Sequence, residues 1–178
     1  MGLSKWFFTK VLGWKIIGDF APQIKKSVII AAPHTSWHDF YLGVFTRRIA
    51  KVQINWIGKK ELFKWPFGWY FRWMGGAPVD RTPGQNKVEA IAKVFDGKDE
   101  FRLTLAPEGT RKKVSTWKTG FYYIAMAVGV PIIPVVFDYA NKEVVIHKPF
   151  YPTGNLEADL KVLRKYYEGV VGKVPKYS

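Results

Sequence analysis

The chain has 178 residues, enough for one domain with a sizeable hydrophobic core. It contains no cysteine, which excludes disulfide bonds, zinc–thiolate sites and a cysteine nucleophile. A net charge of +14 and an aromatic content of 17% fit two kinds of partner. Single-stranded nucleic acid stacks its bases on aromatic rings over a basic groove, whereas an anionic membrane takes up Trp and Phe beside Lys and Arg.

The first predicted element is an amphipathic N-terminal helix. Lys5, Lys10 and Lys15 interrupt its apolar run, which is therefore too short to span a membrane and makes a poor signal peptide. We predict that residues 1–20 form a membrane-interface segment, with a terminal helix packed on the core as the alternative. Six residues share the apolar face of this helix on a helical wheel: Leu3, Trp6, Phe7, Val11, Trp14 and Ile17.

Short apolar strands alternate with helices over the rest of the chain. A β-branched run at 27–32 predicts a buried strand, and a helix follows it at 36–50. The alternation predicts an α/β fold: one domain over residues 21–178, with a mostly parallel or mixed central sheet flanked by helices. The other predicted strands lie within 52–57, 75–81, 102–106, 131–137 and 144–147, and the other predicted helices within 62–74, 87–95, 119–128 and 156–168.

The stretch at 62–74 is the most aromatic part of the chain, yet Lys64 and Arg72 are embedded in it. We expect a helix that is broken or kinked near Pro66. Its composition predicts a second element that faces a membrane, and a helix that crosses the core is the alternative.

His34 and Asp39 flank the start of the helix that follows the first buried strand, where open α/β sheets place ligands. Ser36 is a good N-cap, and Asp39 three residues later completes a capping-box-like pattern that leaves His34 within reach of the carboxylate. Asp39 could then hold one imidazole nitrogen and leave the other as a general base. The alternative is a helix cap beside a turn histidine. We predict no metal site, because His34 and His38 have no evident third ligand.

Two later segments offer groups that bind phosphate. Arg81 closes a strand-like stretch, where an arginine commonly faces a ligand, and the alternative is a surface pair with Asp80. The loop at 107–113 combines a glycine that admits a ligand, a hydroxyl, a guanidinium fork and positive charge, unless it is only a solvated basic loop. Its candidate residues are Gly109, Thr110, Arg111 and Lys112.

These segments belong to four blocks that occur in a fixed order: His34-x-x-x-x-Asp39, Gly76 to Arg81, Pro107-Glu-Gly-Thr-Arg111, and Val130 to Val135. The blocks resemble those of the glycerolipid (lysophospholipid) acyltransferase family, whose bacterial members include 1-acylglycerol-3-phosphate acyltransferases. The first and third blocks depart from the family at Pro33, Ala106 and Lys112, where it often has Asn, an aromatic residue and Ser. These departures leave the identity of the acceptor open.

The resemblance implies acyl transfer from an acyl thioester to the hydroxyl of a glycerol-phosphate-type lipid, with lysophosphatidic acid as the expected acceptor. It implies that His34 is the base and Asp39 its partner, and that no metal or redox cofactor takes part. Glu108 either accepts a hydrogen bond from the acceptor or pairs with an arginine. The acyl donor is acyl-CoA or acyl-carrier protein. The acceptor-binding residues are then Arg81, Gly109, Thr110, Arg111 and Lys112.

Two other functions compete with this one. The acceptor could be another lysolipid or a hydroxylated amino-acid lipid. A non-catalytic basic module that binds nucleic acid or a membrane would explain the charge and the aromatic residues, but not why the first and third blocks occur together. We therefore expect membrane lipids rather than nucleic acid as partners. We also expect a location on the cytoplasmic face of a membrane, peripheral or monotopic.

Overall fold

The computed structural model describes residues 2–79 and 87–178. The N-terminus is helical over Leu3–Trp6 (α1) and continues as a π-helical turn over Phe7–Val11. The predicted extension of this helix to Ile17 is wrong. Lys15–Ile17 instead forms strand β1, which pairs in parallel with a strand near the C-terminal end of the chain. The backbone hydrogen bonds of that pairing, and burial of Trp14 in the core, replace the last turns of the expected helix.

The remaining elements largely follow the predicted alternation. In the described ranges the further strands are β2 Lys26–Ala32, β3 Trp56–Lys59, β4 Gly76–Val79, β5 Phe101–Leu105, β6 Ile132–Asp138 and β7 Glu143–Ile146. The further α-helices are α2 His38–Ala50, α3 Gly68–Trp73, α4 Lys87–Ala92, α5 Gly120–Val128 and α6 Leu156–Lys165. Short 3₁₀ turns cover Lys60–Phe63, Lys93–Phe95 and Pro175–Tyr177.

The central sheet has five strands in the order β1-β7-β6-β2-β5. It is mixed, because β6 and β7 are antiparallel while the other neighbours are parallel. The prediction of an α/β domain with a mostly parallel or mixed sheet is confirmed. The strand expected at 52–57 begins later, at Trp56. Asn55 forms an isolated bridge with Leu103 of β5, and β3 then pairs with β4.

Both faces of the sheet are covered, as the uninterrupted apolar run of β2 requires. Val28 and Ile30 pack in a cluster that includes Phe121 and Ile124 of α5. Their neighbour Ile29 packs on the opposite face, in a cluster with residues of the N-terminal segment and α2. Successive residues of β2 therefore point into different hydrophobic clusters, which fixes the strand in the middle of the molecule.

The aromatic stretch is broken where Pro66 predicts a break: a 3₁₀ turn ends at Phe63 and α3 begins at Gly68. The turn is tight, because a Cβ at Gly68 would lie 2.0 Å from the carbonyl oxygen of Phe63. Arg72 donates to that same carbonyl at 3.0 Å and so holds α3 against the turn. In the described parts of the chain, no helix is both long and apolar enough to cross a membrane.

The strand order decides which loops meet. β2 lies between β5 and β6, and all three run in parallel. Their carboxyl ends therefore open at one edge of the sheet, which is where ligands bind in open α/β sheets. His34, Glu108 and Tyr139 follow these three strands within a few residues.

Candidate active site

His34 and Asp39 meet as the sequence predicts. The imidazole Nδ1 of His34 lies 2.9 Å from Oδ2 of Asp39, although five residues separate them in the chain. Ser36 makes this possible, since its backbone N–H donates to the same Oδ2 at 2.9 Å and turns the chain back before α2. The prediction of Ser36 as the N-cap is wrong, because α2 begins at His38 and Trp37 takes the N-cap position. His38 does not take part in the pair, because its Nδ1 contacts the hydroxyl of Ser36.

The contact defines the chemistry that the imidazole can perform. A carboxylate only accepts hydrogen bonds, so Nδ1 carries the proton that bonds to Asp39. In the neutral imidazole, Nε2 of His34 then holds the lone pair that a general base requires. The side chain of His34 is 28% exposed and that of Asp39 only 1%, so the imidazole is accessible while the carboxylate is buried.

Tyr139 is a third member of the site that the sequence did not predict. Its hydroxyl donates to Oδ1 of Asp39 at 2.7 Å, from a position 100 residues further along the chain. Burial and the hydrogen bond to Asp39 raise the pKa of the Tyr139 hydroxyl well above its usual value, so the hydroxyl stays protonated and acts as a donor. The signal in the sequence was its place directly after a buried strand, which indicates a site edge but not the contact itself.

Glu108 approaches His34 from the neighbouring strand. Its two carboxylate oxygens accept the backbone N–H of His34 at 3.2 and 3.0 Å. Burial raises the pKa of the Glu108 carboxyl, and the nearby negative charge of Asp39 adds to the rise. Glu108 thus ties the loop after β5 to the loop after β2. The expectations that it contacts an acceptor or pairs with an arginine remain predictions.

The rest of the third block forms an exposed loop. Gly109 has a φ of +64°, and a Cβ there would lie 2.7 Å from the side chain of Lys118, so a glycine suits both the backbone and the close approach. The Thr110 hydroxyl accepts the N–H of Lys112 at 3.3 Å and shapes the turn. Arg111 and Lys112 are exposed, and their role in binding an anionic ligand stays a prediction. Arg81, the other predicted phosphate-binding residue, lies outside the described residues.

A cavity of about 550 Å³ lies beside His34. One wall is the sheet, with Ile29 and Val135, and another is α2, with Phe40 and Gly43. The residues that complete its lining are mostly apolar, so the cavity suits a hydrocarbon chain better than a polar ligand. They include Phe20, Ala31, Val44, Ile54, Trp56, Tyr70, Phe71, Met74 and Phe137.

An exposed aromatic surface borders this cavity. We call it the aromatic elbow and define it by Trp65, Phe67, Trp69, Tyr70 and Trp73. The first three are 93%, 67% and 70% exposed, which excludes the alternative that this stretch crosses the core. Tyr70 also lines the cavity, so the elbow and the cavity adjoin. An exposed patch of this kind marks an interaction site.

The chain is similar to known acyltransferases. The family model described as Acyltransferase matches residues 15–138. A 1-acyl-sn-glycerol-3-phosphate acyltransferase of Streptococcus pneumoniae is 30% identical over 150 residues, which are 75% of this chain and 55% of the relative. One of Saccharomyces cerevisiae is 32% identical over 131 residues, 68% of this chain and 42% of the relative. A chloroplastic one of Brassica napus is 26% identical over 138 residues, 66% of this chain and 40% of the relative. The chain thus spans about half the length of these relatives or somewhat less.

Proposed function

Because this chain belongs to the acyltransferase family, we propose that it moves a fatty acyl group from an acyl thioester to the hydroxyl of a glycerol-phosphate-type lipid. The observation that carries this proposal is the contact of 2.9 Å between His34 and the buried Asp39 beside an apolar cavity. The names of the relatives, all 1-acyl-sn-glycerol-3-phosphate acyltransferases, support lysophosphatidic acid as the acceptor.

In the proposed reaction His34 is the general base. Nε2 takes the proton of the acceptor hydroxyl as the hydroxyl oxygen attacks the thioester carbonyl carbon. The tetrahedral intermediate then collapses, the carbon–sulfur bond breaks, and the leaving thiolate takes the proton from the imidazolium. Asp39 stabilises the imidazolium between these two proton transfers. Acyl-CoA and acyl-carrier protein are both suitable donors, and no metal or redox cofactor is required.

The basic loop is proposed to hold the acceptor. A guanidinium fork matches two phosphate oxygens, and Arg111 presents one close in sequence to Glu108, which contacts His34. Lys112 adds charge, while Gly109 and Thr110 keep the backbone of the loop open to the ligand. Arg81 is proposed as the second arginine on the phosphate. Holding the phosphate positions the hydroxyl for attack, which is where much of the rate enhancement arises.

The apolar cavity is proposed to take the acyl chain. It is lined by His34 and by apolar residues of the sheet and α2, so a chain lying in it would bring its carbonyl carbon to the base. Gly43 lines the cavity without contacts around the position of a Cβ, which makes it the site where added volume would shorten the space.

The aromatic elbow and the N-terminal helix are proposed to seat the protein on the cytoplasmic leaflet of a membrane, peripherally or monotopically. Trp6 and Phe7 of the N-terminal segment are partly exposed, and Phe7 stacks on Phe45 of α2 at 5.9 Å. Lys5 precedes Trp6 and Lys64 precedes Trp65 in the sequence, and both lysines are exposed and can meet lipid phosphates. The elbow adjoins the cavity, so a lipid could pass from the bilayer to His34 without crossing water.

An assay with a panel of substrates tests the proposed function. The purified protein is mixed with acyl-CoA or acyl-carrier protein and with lysophosphatidic acid, other lysolipids or a hydroxylated amino-acid lipid, and mass spectrometry identifies the product. We expect acylated lysophosphatidic acid as the main product. Transfer to another acceptor alone would keep the chemistry and change the substrate. No transfer to any acceptor, together with salt-dependent binding of single-stranded nucleic acid, would replace the enzyme with a binding module.

A further inference from the structure

We propose that Tyr139 is a positioning residue for acyl transfer: through its hydrogen bond to Asp39 it fixes the orientation in which that carboxylate holds His34. The inference rests on the proposed function and deepens it. The four blocks that carry the family resemblance do not contain Tyr139, which follows the last of them by four residues.

The donors of Asp39 are divided unequally between its two carboxylate oxygens. Two donors, Nδ1 of His34 and the backbone N–H of Ser36, both bond to Oδ2 of the carboxylate, each at 2.9 Å. The side chain of Asp39 is only 1% exposed, so Oδ1 needs a donor from the protein. Tyr139 supplies the donor for Oδ1 at 2.7 Å. Without it, the carboxylate gains by rotating to share its donors between both oxygens, and the bond to His34 loses its fixed geometry.

Tyr139 is itself held in place by contacts from two parts of the chain, the N-terminal segment and the C-terminal segment at 171–173. Its backbone N–H donates to the carbonyl oxygen of Val171 at 2.9 Å, and the Trp14 ring meets its ring edge-on at 4.9 Å. The Lys173 ammonium lies 5.9 Å from its ring centroid. The ring therefore has little freedom to leave Asp39, and the segment around Val171 becomes part of the support of the site.

The same C-terminal segment also contacts the His34 loop directly. The N–H of Val174 donates to the hydroxyl of Thr35 at 3.1 Å, and Thr35 is buried next to His34. A Cβ at Gly172 would lie 2.7 Å from that hydroxyl, so the segment lies tightly against the loop. Tyr139 and Thr35 are thus two contacts through which residues 171–174 hold His34 and Asp39 together.

The test compares two Tyr→Phe variants that each remove one hydrogen bond to a buried carboxylate. Tyr139→Phe removes the bond to Asp39, and the matched control Tyr122→Phe removes a bond of 2.8 Å to Asp159, a residue of α6 that is not part of the site. We expect Tyr139→Phe to lower kcat about tenfold with both KM values unchanged, which corresponds to about 1.4 kcal/mol in the activation free energy. Tyr122→Phe should leave kcat unchanged, although both variants lose some thermal stability.

A second measurement does not need activity. Nitrogen-15 NMR of the histidine side chains reports which imidazole nitrogen carries the proton, and we expect the Nδ1–H form of His34 to dominate in the parent protein and to lose population in Tyr139→Phe. If the parent protein shows no acyl transfer but Tyr139→Phe gives a mixture of the two His34 tautomers, the result supports the positioning role of Tyr139 and rejects the proposed function. An unchanged tautomer and an unchanged kcat, or an equal loss of kcat in Tyr122→Phe, would overturn the role of Tyr139.

Discussion

At the scale of single residues, three hydrogen bonds converge on Asp39. They come from His34, Ser36 and Tyr139, and only the first two lie close to it in the sequence. A buried carboxylate needs such donors to stay charged, and a charged carboxylate is what stabilises an imidazolium. We therefore expect the site to depend on the donors of Asp39 as well as on His34.

Replacement of His34 tests the base directly. His34→Ala should lower the rate of acyl transfer by about 10²–10⁴, the usual contribution of a general base, with the fold and membrane binding intact. Asp39→Asn should cost less, because the base remains and only its tautomer balance changes. His38→Ala is the control with a milder effect expected, since His38 contacts Ser36 and not Asp39. Near-normal turnover of His34→Ala, measured by product formation, would end the assignment.

Glu108 should make stability depend on pH. Burial raises the pKa of its carboxyl, so the folded protein holds this proton more tightly than the unfolded chain. The contribution of Glu108 to the free energy of unfolding is then most favourable below the ordinary carboxyl pKa. It is lost as the pH rises towards the raised pKa of the folded protein. Glu108→Gln should remove this loss. The free energy of unfolding of the variant should therefore rise relative to that of the parent as the pH rises from 4 to 7. Denaturant unfolding at each pH measures the free energy of unfolding.

Glu100→Gln is the control for this measurement. The side-chain hydrogen bond from Arg102 lowers the pKa of the Glu100 carboxyl, so its contribution has the opposite sign. It is present above the ordinary carboxyl pKa and is lost as the pH falls towards the lowered value. The free energy of unfolding of Glu100→Gln should therefore fall relative to that of the parent as the pH rises. Equal pH profiles for the two variants would contradict the account of Glu108.

At the scale of elements, the loop after β5, together with Arg81, should decide binding of the acceptor. Arg111→Ala and Arg81→Ala should each raise the KM of the acceptor more than that of the acyl donor, because each removes a charge-assisted contact worth about 1.5–3 kcal/mol. A lysine at either position should rescue only in part, since it lacks the planar fork. Steady-state kinetics with both substrates varied gives the two constants. A rise in the donor KM alone would mean that the loop holds the donor's phosphates or its acidic carrier.

Helix α2 should set the length of the acyl chain. Gly43→Leu adds a side chain to the wall of the cavity of about 550 Å³, at a position with no neighbour within 4 Å of a Cβ. Because a Cβ at position 43 has no neighbouring atom within 4 Å and faces the cavity, we expect a stable protein whose preferred donor is shorter by several carbons. Competition between thioesters of different chain length measures the preference. Gly120→Ala, another helical position with open space, is the control. An unchanged preference would place the acyl chain elsewhere.

At the scale of the whole molecule, the aromatic elbow and the N-terminal helix should act together on a membrane. Binding to vesicles should rise with the content of anionic lipid, at about 1 kcal/mol for each basic residue near the surface, and fall only in part at high salt. The part that salt does not remove comes from buried rings. Combined replacement of Trp6, Phe7, Trp65 and Trp69 by Ser should abolish most of it, as measured by co-sedimentation.

Tyr151→Ser is the control for the vesicle experiment, because Tyr151 is also an exposed aromatic residue but lies in the loop after β7. It should leave binding unchanged. Complete release of the parent protein by salt would show that the attachment is only electrostatic. Resistance to alkaline extraction would instead indicate a segment that spans the bilayer.

Some secondary-structure elements could be predicted from the sequence with correct type and position, and others could not. The strand at 26–32 was predictable, because a short β-branched apolar run that ends at a proline favours a buried strand over a helix. The helix at 156–165 was too, and its cap is as expected, since Asn155 accepts the N–H of Ala158. The N-terminal helix was predicted too long, because Trp14 and Ile17 fit the apolar face of a helix. Their spacing does not show that residues 15–17 pair with a strand of the central sheet instead.

The sequence by itself determined the local geometry of the site. Ser36 and Asp39, three residues apart, are enough to bend the chain and bring His34 to the carboxylate, because such a turn needs only neighbours. The tertiary structure alone decided that β2 lies between β5 and β6. This order brings Glu108 to the backbone of His34 and Tyr139 to Asp39. No periodicity in a single chain reports which strands become neighbours, since that depends on the free energy of packing the whole sheet between its two layers of helices.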